Sequence, residues 1–217
     1  MKILALDFSS EQRSAAVVER REGGPAVVLA GAAELGGRGA LELVEQALVK
    51  AGCEREEVDC LAVCLGPGSY TGIRGAISLA QGWHLGLGTR LLGVSSVECM
   101  AAQAEALAWT GAVNIVVDAQ RNEFYLARYR MEAGRRTELE PLRLATLAEM
   151  KDLAGRGEIV AGPSLQRWFP EARNLFPDAG FLGRLAAERR DDAAAESLQP
   201  IYLRETSFTK LKIKNEK

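Results

Sequence analysis

A chain of 217 residues with 47% apolar content is long enough for one large domain or two lobes, and apolar enough to pack a core without disulfide staples. A formal net charge of −2 excludes a global field that draws in nucleic acid by counterion release alone, so any RNA contact calls for grip from another subunit. No apolar run reaches the ~18 residues of a membrane helix, and Asp7 interrupts the first run before a signal-peptide core is complete, so the expected location is the cytoplasm, with no membrane contact.

Residues 2–8 predict a strand that ends on Asp7, Phe8 and the pair Ser9–Ser10. Further strands are expected over 13–20 and 26–32, separated by the turn signal Gly23-Gly24-Pro25. From residue 39 to 51, Ala40, Leu41, Val44, Ala47, Leu48 and Ala51 recur at helical spacing, and Gly52 closes the element. A strand follows over 58–65. The helix predicted over 70–87 carries only Arg74 as a formal charge. Ile73, Ala76, Ile77, Leu79, Ala80, Trp83 and Leu87 fill a wide apolar sector, while Gly75, Gly82 and Gly86 gather on the other side. Glycine costs about 1 kcal/mol in a helix interior, so this column points either to a neighbour approaching closely or to a helix central to its own domain.

A short strand over 91–94 leads into Ser95-Ser96-Val97-Glu98, which matches a capping box and opens a helix reaching about residue 108. The second half begins with a strand over 113–118, the turn Gln120-Arg121-Asn122, a strand over 123–130 and a break at Gly134. A strand over 137–144 precedes a second capping box, Thr146 to Glu149, whose helix ends near Gly155. A strand over 158–161, the turn Gly162–Pro163, a short helix over 165–169 and a long helix over 181–190 complete the pattern. The halves echo each other, which predicts a duplicated α/β design with lobes at 1–109 and 110–217. The tail, 209–217, carries four lysines and reads as a solvated terminus rather than an RNA-binding arm.

Cys53, Cys60, Cys64 and Cys99 form no Cys-x-x-Cys pair. On one strand the Cα atoms of Cys60 and Cys64 lie about 13 Å apart, too far for a disulfide, so the cysteines read as small buried apolar residues. His84 is the single histidine, which excludes two-histidine metal sites. The loop Gly66-Pro67-Gly68-Ser69-Tyr70-Thr71-Gly72 joins a buried strand to a helix N-terminus, where free amides can receive an anion. Its spacing matches neither a Walker A loop nor Gly-x-Gly-x-x-Gly, so phosphate binding and tight-turn geometry are equal readings. Asp7 sits at a strand tip suited to a nucleotide's metal, but Phe8 stands where a glycine would let backbone amides approach phosphate.

Ile3-Leu4-Ala5-Leu6-Asp7, the run from Gly66 to Arg74, Leu92-Gly93-Val94-Ser95-Ser96, the run from Asp118 to Tyr125, and Pro200-Ile201-Tyr202-Leu203-Arg204 resemble, in order, the sequence blocks of the TsaB (YeaZ) family. The resemblance implies an actin-like (ASKHA) α/β fold of two lobes, each a mixed β-sheet with flanking helices. It also implies a part in attaching threonylcarbamoyl to the adenosine 3′ of the anticodon in tRNAs that read ANN codons. In that role the chain is a non-catalytic subunit that binds and activates a TsaD-like catalytic subunit, joined by a TsaE-like ATPase. The chain then has no cofactor of its own, ATP and metal belong to partner subunits, and tRNA is met through the complex. A homodimer is a further option. The alternative function is an actin-like small-molecule kinase or ATPase. A glycoprotein peptidase, a third reading, needs metal ligands that the chain lacks.

The candidate nucleotide or anion loop comprises Asp7, Ser9, Gly66, Gly68, Ser69, Thr71, Gly72 and Arg74, with no catalytic or metal residue. The candidate partner surface lies on the helices over 39–51 and 70–87. Its contact residues are Leu43 and Val49, off the core stripe of the first, and Gln81 and Leu85, off the apolar sector of the second. Two stretches depart from the family pattern: Gly36-Gly37-Arg38-Gly39-Ala40-Leu41-Glu42 lacks a His-Ser segment, and Gln120 replaces an arginine in Asp118-Ala119-Gln120-Arg121.

Overall fold

A computed structural model describes residues 1–36, 39–189 and 198–203. The lysine-rich tail, Arg204 and the end of the last predicted helix at residue 190 lie outside the described residues. Strands β1 (Lys2–Asp7), β2 (Gln12–Arg20) and β3 (Ala26–Leu35) form an antiparallel meander, and β4 (Cys60–Cys64) and β5 (Arg90–Val94) extend it in parallel from β1. The order is β3-β2-β1-β4-β5. The central strands β1 and β4 are buried on both faces, which is why they read as unbroken apolar runs rather than as alternation. Helices α1 (Ala40–Ala51) and α2 (Tyr70–Leu87) cover one face, through Val44, Leu48, Ile73 and Ala80.

The second sheet holds β6 (Gly111–Asp118), β7 (Glu123–Glu132), β8 (Arg135–Thr146), β9 (Ile159–Gly162) and β10 (Arg173–Asn174). Reading from β8, its order β8-β7-β6-β9-β10 repeats the first sheet strand for strand, including the antiparallel meander and the two parallel additions. The two-residue strand β10 is too short to carry a period and was not foreseen. Helix α4 (Leu147–Gly155) stands where α1 stands in the first half, packing Met150 and Leu153 on one face of its sheet.

Helix α3 (Ser96–Ala106) lies between the sheets. Cys99 and Ala102 face the first, while Val97, Met100, Ala101 and Ala104 face the second. Such a helix needs small residues all round, and its sequence supplies alanines instead of an amphipathic stripe. Helix α5 (Ala179–Glu188) returns to the first sheet, where Leu182, Leu185 and Ala186 pack beside Ala5, Ala16 and Val18. Asp178 caps it, accepting from the Phe181 amide at 3.1 Å, so it starts two residues before the predicted position. The strap of residues 198–203 also joins the first lobe: Leu198 is buried in the α1–α2 core and the Ile201 amide donates to Leu65 O at 2.8 Å.

The capping box expected at Ser95 is absent. Ser95 Oγ has no partner, Ser96 Oγ donates instead to Pro67 O at 2.7 Å, and the Glu98 carboxylate pairs with Arg189. At α4 half of the second box forms: Thr146 Oγ1 accepts from the Glu149 amide at 3.3 Å, while the Glu149 carboxylate turns to Arg143.

Candidate functional site

The eight residues proposed for nucleotide or anion binding converge where β1 ends and α2 begins, but at different depths. Asp7 is fully buried; its Oδ1 accepts from the Ser9 amide at 3.2 Å and from Ser9 Oγ at 2.6 Å, and its Oδ2 has no partner. Burial pushes this carboxyl up to about 6, against the opposing pull of hydrogen bonding from Ser9 and the neighbouring Cys64 thiol. Gly68 and Gly72 are there for close approach: a Cβ on Gly68 would lie 2.0 Å from Ser9 O, and one on Gly72 would lie 1.9 Å from Phe8 O. The Gly66–Gly72 loop is therefore pressed onto the β1–β2 turn. Ser69 N–H donates to Ser9 O at 2.7 Å, Gly72 N–H to Ser69 Oγ at 3.3 Å, and Ile73 N–H to Ser69 O at 2.9 Å. The Ser69 amide, one that could have met a phosphate, is thereby spent inside the protein. Thr71 and Arg74 stand on the exposed side of α2, with the Arg74 guanidinium 4.5 Å from the Tyr70 ring centre.

Of the eight, Ser9, Gly68 and Ser69 line a cleft of about 830 Å³ between the lobes. Its far wall comes from residues 118–125 and 163–168, and the strap closes one side with Tyr202. Tyr70 and Tyr202 stack with ring centres 5.6 Å apart and planes inclined by 26°. Across the cleft, Arg167 lies 3.5 Å from the Trp168 ring centre and donates to Asp118 Oδ2 at 2.7 Å. Ser164 and Glu11 form a hydrogen bond from one lobe to the other. At the rim, Gln120, Arg121 and Asn122 all hold the left-handed conformation, with φ of 66°, 57° and 60°. Sequence reasoning marked this turn, yet gave no signal that it, Arg167, Trp168 and Tyr202 would meet around Ser9.

The residues for metal or nucleophilic chemistry do not gather here. Among the described residues no group of three or more His, Cys, Asp or Glu could hold a metal ion. His84 Nδ1 lies 2.8 Å from Thr89 O at the opposite end of α2 from the loop, so the chain's own donors do not fit the metal of a paired-histidine site. Cys60, Cys64 and Cys99 are buried, and burial pushes each thiol up, Cys60 to about 11, which leaves the thiolate inaccessible.

The partner-surface candidates divide. Val49 is 72% exposed and Leu85 85% exposed, and Gln81 is half-buried. Leu43 is buried in the core, a correction to its predicted place off the core stripe. Helix α1 is turned so that Leu43, Val44, Ala47 and Leu48 face the sheet, which leaves Leu41 rather than Leu43 outside. Gly75, Gly82 and Gly86 have open space where a Cβ would stand, so within the described chain no neighbour fills the groove.

Two sheets of one topology, facing each other across a cleft with helices between and outside, define an actin-like α/β protein. The family model for TsaD, tRNA N6-adenosine threonylcarbamoyltransferase, matches residues 32–214. The tRNA threonylcarbamoyladenosine biosynthesis protein TsaB of Escherichia coli is 28% identical over 186 residues, covering 76% of this chain and 78% of that protein. The TsaB of Haemophilus influenzae is 32% identical over 128 residues, covering 59% and 53%. Among solved structures, YeaZ from Pseudomonas aeruginosa superposes with a TM-score of 0.76 at 26% identity, covering 93% of this chain and 99% of that one. A crystal structure of an uncharacterized protein from the same organism, with similarity to peptidase YEAZ, gives 0.76 at 28% identity, covering 94% and 99%. The chain belongs to the threonylcarbamoyltransferase family that the model describes, on its TsaB (YeaZ) branch.

Proposed function

We propose that the chain is a non-catalytic subunit of a tRNA-modifying assembly, required for threonylcarbamoyl transfer to the adenosine 3′ of the anticodon in tRNAs reading ANN codons. It acts by binding and activating a TsaD-like catalytic subunit, with a TsaE-like ATPase joining the complex. The observation that carries this reading is the closure of the Gly66–Gly72 loop on Phe8 and Ser9, which leaves no room for a phosphate between them and ties up the Ser69 amide. In this reading Asp7, buried beneath that loop with Oδ1 held by Ser9, is a structural residue rather than a metal ligand.

The partner surface in this reading is the outer face of α2, where Gly75, Gly82 and Gly86 leave a shallow groove beside exposed Leu85, extended by Val49 on α1. A helix laid there would approach backbone to backbone. The same face would serve a homodimer, so the two assemblies exclude each other on it. In this reading the lobes divide at residues 109 and 110; the separation of the two sheets supports that division, while α5 and the strap pack on the first lobe from beyond it. The test is co-purification of the chain with the TsaD-like protein of its own organism, alongside calorimetry of the lone chain with ATP. A stable complex and no micromolar ATP binding are expected. Micromolar ATP affinity of the lone chain, with no complex, returns the kinase reading.

A further inference from the structure

The cleft between the lobes is closed where a polyphosphate would end and open where a base could stack. At the closed end the Ser69 amide is tied to Ser9 O at 2.7 Å, and Gly68 presses against the Ser9 carbonyl. At the open end the stacked pair Tyr70 and Tyr202 presents rings that are 56% and 41% exposed, and Trp168 stands on the opposite wall. Two cations share this outer part. Arg13 lies 5.9 Å from the Phe8 ring centre with no carboxylate paired to it among the described residues, whereas Arg167 covers Trp168 and is paired with Asp118 at 2.7 Å. Aromatic faces that accept any base, beside guanidinium groups that meet phosphodiesters, are what a protein uses to hold unpaired nucleotides. A volume of about 830 Å³ exceeds that of one nucleotide and opens to solvent at the rim, so a strand can enter and leave.

We propose that this cleft binds unpaired ribonucleotides of the RNA substrate, one base stacking on the Tyr70–Tyr202 pair while Arg13 neutralises a flanking phosphate. The chain then contributes an RNA contact of its own in addition to its α2 surface, and the inference rests on the RNA-modifying reading above. Free mononucleotide offers the same base and phosphate. The closed end, where Gly68 presses on Ser9 and the Ser69 amide is tied to Ser9 O, leaves no seat for its polyphosphate, so the strand, which is held chiefly by stacking, is the better occupant.

The test uses the full chain and a fluorescein-labelled single-stranded oligoribonucleotide of about ten residues, followed by anisotropy, with ultraviolet cross-linking and peptide mapping. Saturable, salt-sensitive binding is expected, with cross-links at Tyr70, Trp168 or Tyr202. Tyr202→Ala and Arg13→Glu should each weaken binding roughly ten-fold, while Tyr202→Phe keeps it, because the phenyl ring stacks as well as the phenol. Thermal melting verifies folding, and cross-link mapping on the parent chain needs no variant. No saturable binding, cross-links confined to residues outside the cleft, or displacement by ATP at equal affinity would overturn the proposal. Complex formation with the TsaD-like chain, measured on the same variants, separates the two readings: it should survive Tyr202→Ala, whereas its absence in the parent would count against the subunit reading.

Discussion

Replacing Asp7 with asparagine should stabilise the protein at neutral pH, which is unusual for a change at a fully buried polar position. The Asp7 carboxyl is 0% exposed, with Oδ1 held by Ser9 and Oδ2 unpartnered. Its pKa is raised from the ordinary 3.8 to about 6, chiefly by burial. The folded chain therefore holds a proton that the unfolded chain has released between about pH 4 and pH 6, so the stability tied to this group is present below about pH 4 and lost as pH rises through about 6. At 1.36 kcal/mol per pH unit, the charged carboxylate costs the folded state about 3 kcal/mol at pH 7. Asparagine has nearly the same shape, keeps an oxygen for Ser9 and carries no charge. Urea denaturation followed by far-ultraviolet circular dichroism, at about pH 4, 5, 6 and 7.5, should show the variant level with the parent at the lowest value. Its advantage should then grow to about 3 kcal/mol, or roughly 10 °C in Tm, at the highest. A variant less stable than the parent at pH 7.5, or an advantage that does not change with pH, would refute the reasoning and show that the second carboxylate oxygen has a partner.

Gly72→Ala should cost at least ~2 kcal/mol in the same denaturation experiment, since its Cβ would meet Phe8 O at 1.9 Å and that carbonyl directly follows the central strand β1. Gly82→Ala, with open space around it, should add up to ~1 kcal/mol of stability yet weaken association with the TsaD-like chain, as read by gel filtration. Leu85→Glu and Val49→Glu should leave stability within ~0.5 kcal/mol and abolish that association, a charge in a desolvated contact costing several kcal/mol. Two variants that fold and bind as the parent does would move the interface elsewhere. Ser69→Ala removes the N-cap oxygen of α2 and should cost ~1 kcal/mol, measured by thermal melting.

Much of this fold could be read from hydrophobic period. The long helix α2 spans Tyr70–Leu87 as its pattern predicted, and the echo of the two halves is a true repeat of sheet topology. The misreadings have local causes. A helical wheel assigns a stripe but not its angle to the sheet, so Leu41 and Leu43 exchanged places. The Ser95-Ser96-Val97-Glu98 run has the letters of a capping box, but Ser96 is drawn into a bond with Pro67 and Glu98 into a pair with Arg189. Within the candidate site, Asp7, Ser9, Gly68 and Ser69 were legible because they belong to one strand–turn–helix neighbourhood. Arg167, Trp168 and Tyr202 were not, since only tertiary folding brings the second lobe and the strap against that neighbourhood.

The central claim, that this chain enables a partner's chemistry without performing it, is tested most directly by reconstituted threonylcarbamoyl transfer to tRNA. The purified TsaD-like and TsaE-like proteins are assayed with a threonylcarbamoyl donor, with this chain omitted, added, or added as Leu85→Glu. The account predicts no modified adenosine without the chain, full modification with it, and loss of modification with a Leu85→Glu variant that still folds. Equal modification with and without the chain would contradict it.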